Sequence, residues 1–403
     1  MSNHLQQARS DMSAPKLRFK EFKSAYSEVS LGSIGEFKNG INKSKEDFGF
    51  GVPFVNLMDV FGKPFLTQSG FGLVNASAKE VDSYSLIKGD VLFIRSSVKP
   101  EGVGETSTIL EDFANTVYSG FLIRFRETSP EKMLDINYKK YCFSIKSFRK
   151  QIMSLCTTSA NTNINQDSLN GLKISIPNRE EQCKIALFLS KIDQKIFLLT
   201  QKHELFIQYK KGVMQKIFNQ EIRFKDGAGK DFPNWDYVPL EEVLDYEQPG
   251  RYLVSSTEYS DDFETPVLTA GKTFLLGYTD EVNGIFTDLP VIIFDDFTTA
   301  FKFVDFPFKA KSSAMKMLKN KNPDNLLRYI YEAMCRIDFQ GGDEHKRYWI
   351  SQYSKINIPL PHHDEQIKIL DFSVQIDKKI EIIKSKLELT KQYKQGLLQQ
   401  MFI

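Results

Sequence analysis

Cysteine is scarce: four residues (Cys142, Cys156, Cys183 and Cys335) in a chain of 403, scattered and without a Cys-x-x-Cys pair. That excludes a disulfide framework, offers no zinc signature, and points to the reducing cytoplasm. No stretch approaches the ~18 uncharged apolar residues of a membrane-spanning helix. The start, MSNHLQQARSDMSAPK, lacks the apolar core of a signal peptide, so residues 1–15 are expected to be a loose tail. Charge of one sign is not in excess either. Lys+Arg at 53 against Asp+Glu at 51 leaves +2, which neither demands nor excludes a nucleic acid, because local patches decide that. Apolar residues at 41% and charged residues at 26% are ordinary globular values. At roughly 150 residues per domain the length predicts two to three domains.

Catalytic motifs are also lacking. Asp47-Phe48-Gly49-Phe50-Gly51 has the spacing of a methyl-donor loop, but a polar, charged stretch precedes it where a buried strand is needed. Ala270-Gly271-Lys272-Thr273 resembles the end of a phosphate loop, yet Pro266 stands where the first glycine belongs. His362 and His363 are adjacent, so their side chains diverge, and no third metal ligand is near in sequence. One enzymatic alternative remains open: Asp324, Glu344 and Lys346 have the residue types of a metal-dependent nuclease.

What is present is a repeat. Residues 177–218 align without gaps on 361–402 at a constant offset of 184, with about 19 of 42 positions identical. The identities include Glu181/Glu365, Gln182/Gln366, Asp193/Asp377, Tyr209/Tyr393 and Gly212/Gly396. Leu-Arg-Phe-Lys at 17–20 recurs as Ile-Arg-Phe-Lys at 222–225, and YSEVSLGSI (26–34) resembles WDYVPLEEV (235–243).

Each 42-residue segment follows a proline, with acids at its start and lysines near its end, as a helix favours. Apolar residues step by three and four through Ile185, Leu189, Ile192, Ile196 and Leu199, and the second copy steps through Ile369, Ile376, Ile380, Ile383 and Leu387. That spacing is a coiled-coil seam, interrupted by His203 and Lys210 in one copy and by Ser373, Thr390 and Lys394 in the other. Leu198, Leu205 and Tyr209, with Ile382, Leu389 and Tyr393, widen each apolar stripe beyond what one partner helix covers. Those six, with Glu181, Gln182, Glu365 and Gln366, are candidates for a subunit interface.

The segments between have short β-type runs such as 86–97 and 289–304, helical patterns near 135–154 and 324–338, then a final strand. The fold class is therefore α+β. A tail (1–15) is followed by a mixed domain (16–177), a long helix (178–219), a second mixed domain (220–361) and a second long helix (362–403).

The polar loops of the two domains carry donors suited to base edges and phosphates. In the first domain the candidates are Lys38, Lys43, Arg95, Ser96, Ser97, Lys99, Thr158, Ser159, Asn161 and Asn163. In the second they are Arg251, Tyr252, Lys272, Thr298, Thr299, Lys302, His345, Lys346 and Arg347. The offset of 184 sets Asn161, Thr162 and Asn163 against His345, Lys346 and Arg347, so both domains place polar groups just before the final strand.

This two-copy plan, with ISIPNREEQCKI (174–185) and IPLPHHDEQIKI (358–369) opening the helices and Gly89-Asp90-Val91-Leu92 in the first domain, resembles the DNA-specificity subunit of type I restriction-modification systems. The resemblance runs from Leu17 to Phe402. It implies two target recognition domains, each reading half of a bipartite site in double-stranded DNA, separated by two long antiparallel helices in a pseudo-twofold arrangement. It also implies two methyltransferase subunits and two motor-nuclease subunits as partners. S-adenosylmethionine, ATP and Mg would belong to those partners, with no cofactor or metal in this chain and no catalysis by it. A coiled-coil scaffold that binds no DNA is the third possibility.

Overall fold

A computed structural model describes residues 14–67, 70–158, 161–271, 273–339 and 347–403. The chain forms two compact units, one of residues 1–200 with 385–403 and the other of residues 201–384. Each unit takes part of both long helices. The boundary therefore falls inside the helices and not at their ends.

In the first unit a five-stranded sheet has the order β2-β7-β4-β6-β3, where β2 is Gly35–Asn39, β3 Phe65–Leu66, β4 Val91–Ile94, β6 Thr106–Ile109 and β7 Leu122–Glu127. Every residue of β4 is fully buried. Val91 and Phe93 join one apolar cluster, whereas Leu92 and Ile94 join another on the opposite face. A strand covered on both sides reads as a continuous apolar run, which is why VLFI shows no alternation. Helices α1 (Ile136–Cys142) and α2 (Lys146–Leu155) supply Tyr138, Phe148 and Ile152 to the first cluster. An antiparallel pair, β1 (Ser27–Ser30) with β10 (Lys173–Ile176), closes the domain beside the start of α3 (Arg179–Phe218).

The second unit repeats the plan. Its four-stranded sheet has the order β12-β15-β13-β14, with β12 Leu244–Glu247, β13 Val291–Asp295, β14 Phe301–Val304 and β15 Met315–Asn320. Residues Val291 to Phe294 of β13 are again fully buried between two clusters. Helix α4 (Leu327–Met334) covers one face; the pair β11 (Asp236–Pro239) and β16 (Asn357–Leu360) leads to α6 (His363–Met401).

The repeated residues have matching roles. In the first unit Arg18 makes two hydrogen bonds, at 2.8 and 2.7 Å, to the fully buried Glu181, which also accepts from Tyr26 Oη. In the second unit Arg223 makes the same pair, at 3.2 and 2.6 Å, to the fully buried Glu365, which accepts from Trp235 Nε1 at 2.8 Å. The Arg of each opening motif thus neutralises the Glu at the start of a long helix, as a charge removed from water requires. Gln182 accepts from the Asp135 N–H and donates to the Met133 and Pro177 carbonyls; Gln366 accepts from the Leu326 N–H and donates to Pro361.

Within each unit the two long helices run antiparallel. In the first, Leu17 N–H donates to Gln400 while neighbouring Arg18 holds Glu181, and farther along Lys394 pairs with Asp193 at 2.6 Å. In the second, Lys210 pairs with Asp377 at 2.7 Å. The two ion pairs are the same contact at the 184 offset. The lysines that interrupt the apolar seam therefore bridge the helices.

Candidate nucleic-acid interface

The central strand of each sheet delivers the chain to the polar segments, because its buried run must end at the domain surface. In the first unit β4 leads directly into Arg95 and β5 (Ser96–Ser97). There β5 pairs antiparallel with β9 (Thr162–Asn163), which pairs in turn with β8 (Thr157–Thr158). Ser96 faces Asn163 and Ser97 faces Thr162, and the Ile164 N–H donates to the Arg95 carbonyl at 3.0 Å. Two loops remote in sequence form one small polar sheet.

Side chains there are tied locally. Asn163 Nδ2 donates to the Asn161 carbonyl at 2.9 Å, Ser97 Oγ accepts from the Lys99 N–H, and Arg95 reaches the Gly120 carbonyl at 3.4 Å. Arg95, Ser96, Ser97, Lys99, Asn161 and Asn163 are thus brought together. Thr158 joins them through its backbone. Ser159 lies outside the described residues.

The second unit makes the equivalent junction with different residues. The turn after β13 is built on Asp295, whose Oδ1 accepts from the Phe297 and Thr298 N–H groups and from Thr298 Oγ1. Thr299 closes it at a φ of 55°. Asp296 is buried. Its carbonyl accepts from the Tyr348 N–H at 2.9 Å, its carboxylate accepts from the Trp349 N–H at 2.8 Å, and it pairs with buried Lys316 at 3.2 Å. This staple seats Arg347, the residue before α5 (Tyr348–Ser351), beside the turn carrying Thr298 and Thr299. Exposed Lys302 follows on β14. Ile164 and Tyr348, which carry the two matching backbone bonds, stand at the 184 offset. His345, Lys346 and Lys272 lie outside the described residues.

Other candidates are held elsewhere. Lys38 donates to the Ser83 carbonyl and lies 4.4 Å from the Tyr84 ring centre, and Lys43 pairs with Glu80 at 2.9 Å; both turn toward the helix Ala78–Tyr84. Arg251 and Tyr252 are bound by Glu247, which also holds Lys319. Burial pushes the Glu247 carboxyl up, but hydrogen bonds from Lys319, Arg251 and Tyr252 outweigh it and bring it down to about 2. These three cations and one phenol are each tied to a neighbouring group.

The interface candidates divide in two. Glu181, Gln182, Glu365 and Gln366 are buried inside their own units and present no docking surface, because they satisfy the helix starts and the opening motifs. Leu198, Leu389 and Tyr393 in the first unit, and Leu205, Tyr209 and Ile382 in the second, are more than half exposed. A groove of about 490 Å³ lined by Ile192, Lys195, Leu199, Lys386, Leu389, Thr390 and Tyr393 runs beside the first stripe.

Of the nuclease residues, Asp324 sits in an exposed turn where its carbonyl meets His363 Nδ1 at 2.6 Å, and Glu344 and Lys346 lie outside the described residues. Among the described residues no group of three or more His, Cys, Asp or Glu could hold a metal ion, and no helix is long and apolar enough to cross a membrane. Sequence reasoning missed Asp296, an acid in a loop whose burial only the fold reveals.

Both halves match the profile described as the type I restriction modification DNA specificity domain, over residues 23–205 and 233–391. The chain is 51% identical over 146 residues to a type I restriction enzyme specificity subunit of Escherichia coli, a match spanning 35% of this chain and 36% of that protein. It is 25% identical over 308 residues to another such subunit, from Methanocaldococcus jannaschii, spanning 66% of this chain and 69% of the relative. Its fold is similar to the crystal structure of the S subunit of a type I restriction-modification system from M. genitalium, with a TM-score of 0.56 at 17% identity over 97% of this chain and 99% of that one.

Proposed function

We propose a function from one premise: the chain belongs to the type I restriction-modification DNA specificity family. It is a DNA-recognition subunit and not itself an enzyme. In this reading each unit recognises one half of a bipartite site in double-stranded DNA through the segments that follow its central strand. The observation that carries it is the doubled junction: 95–97 against 162–164 in one unit, 296 against 348–349 in the other, joined by matching backbone hydrogen bonds. One fold position displays Ser, Asn and Arg side chains in the first unit and Thr and Arg in the second. Asn and Arg pair bidentately with adenine and guanine, while Ser, Thr and Lys hold phosphates and set register.

Adenine N6 methylation and cleavage then belong to partner subunits, two methyltransferases and two motor-nucleases, which bring S-adenosylmethionine, ATP and Mg. The exposed stripes on the long helices, Leu198, Leu389 and Tyr393 with Leu205, Tyr209 and Ile382, suit the methyltransferase subunits, since exposed apolar rows of this kind mark interaction sites. The complex works on chromosomal DNA in the cytoplasm. A map of N6-methyladenine in cells with the chain intact and deleted tests this. Disappearance of one two-part motif with a fixed spacer supports the reading, and an unchanged map in cells whose partner subunits are active refutes it.

A further inference from the structure

Each unit places an exposed apolar side chain within its polar junction. Val98 follows Ser97 directly and is 82% exposed, the highest value among the large hydrophobic side chains described. The backbone on either side of it is tied: the Lys99 N–H bonds to Ser97 Oγ at 3.2 Å and the Gly102 N–H to the Lys99 carbonyl at 3.0 Å. Gly102 itself is packed so closely that a Cβ there would lie 2.7 Å from Ser97 Oγ and 2.9 Å from the Phe61 ring. In the second unit Phe297 occupies the turn after β13, partly exposed, with its N–H held by Asp295 at 3.0 Å. Neither side chain contributes to a core cluster, and both sit among hydrogen-bonding residues on anchored backbone.

We infer that Val98 and Phe297 are specificity-determining contacts to the 5-methyl group of thymine, one in each half-site. The inference rests on the reading that the two junctions face DNA. Its chemistry follows from the base pair itself. An adenine that offers N6 and N7 to an Asn, or any neighbouring A·T pair, brings a thymine methyl into the same major groove, and an apolar side chain is the group that recognises it. Val98 lies one residue beyond the β5 strand that pairs with Asn163, so one surface offers both an amide for adenine and an apolar contact for a thymine. In the second unit Phe297 flanks Thr298 and Thr299 in the same way, beside Arg347. Polar donors hold the backbone and one base edge, and the apolar residue adds selectivity for the methyl.

The test uses the full chain, co-expressed with the methyltransferase subunits of its own system, and duplexes carrying the two-part motif from the methylation map. Each thymine is replaced singly by uracil, which removes only the methyl group. One thymine in each half-site is expected to show an affinity loss of about fourfold, the worth of one buried methyl. Val98→Ser should abolish the thymine–uracil difference in one half-site only, and Phe297→Ser in the other only. Both residues are surface residues, so the variants keep the fold. Indifference of the unaltered protein to every replacement overturns the inference, as does a full thymine–uracil difference retained in both variants. Failure of the underlying reading looks different: Asn163→Ala and Arg347→Ala would then leave sequence selectivity intact.

Discussion

Replacing Arg223 by Met keeps most of the aliphatic stem and removes the charge that neutralises Glu365. Glu365 is fully buried, and the Arg223 side chain is 20% exposed. Removing one partner of a buried pair typically costs ~3–5 kcal/mol because the other charge is left uncompensated. Here the Trp235 N–H still bonds the carboxylate at 2.8 Å, and water reaches the edge of the site, so the low end, about 3 kcal/mol, is expected. Both tryptophans of the chain, Trp235 and Trp349, lie in the second unit, so their fluorescence during urea unfolding reports that unit alone. With a slope of roughly 3 kcal/mol per molar urea, the transition should fall by about 1 M. Adding Glu365→Gln should recover most of the loss, since a neutral amide needs no counter-charge. An unchanged midpoint, or a double variant weaker than Arg223→Met alone, would refute the clamp.

Arg347→Ala should cost about 1–3 kcal/mol of specific DNA affinity and relax one base position, measured by binding to a randomised half-site, whereas Lys43→Ala, whose ammonium is already paired with Glu80, should change little. Glu247 titrates at about 2 in the fold against 4.5 when unfolded, so its contribution is complete above about pH 4.5 and is lost as pH falls toward 2. Glu247→Gln should therefore flatten the acid dependence of the tryptophan-reported midpoint between those values; an unaltered slope would contradict the assignment. Leu389→Glu and Leu205→Glu should leave the chain folded and reduce co-purification of the methyltransferase subunit at least tenfold.

The long helices were legible in the sequence, because a gapless offset with apolar steps of three and four admits little else, whereas their antiparallel pairing came only from the family resemblance. The partners of the repeated polar residues were not legible. Glu181 and Gln182 read as surface residues at a helix start, and only the path of residues 17–26 shows that Arg18 and Tyr26 enclose the former. Lys210 and Lys394 read as flaws in a seam, although each finds an Asp on the neighbouring helix. The site divides the same way. Ser96–Ser97 and Asn161–Asn163 were each visible as polar loops, but their pairing depends on long-range strand register that local pattern does not encode. Lys38, Lys43, Arg251 and Tyr252 carry suitable chemistry in suitable loops, and only the fold shows that they lie against Tyr84, Glu80 and Glu247.

In the proposed function the two units read independent halves of one site. Exchanging residues 16–177 for the corresponding segment of another family member, and mapping N6-methyladenine in the resulting cells, addresses it most directly. One half of the motif is expected to change while the other half and the spacer stay fixed. A motif altered in both halves, or in neither, would contradict it.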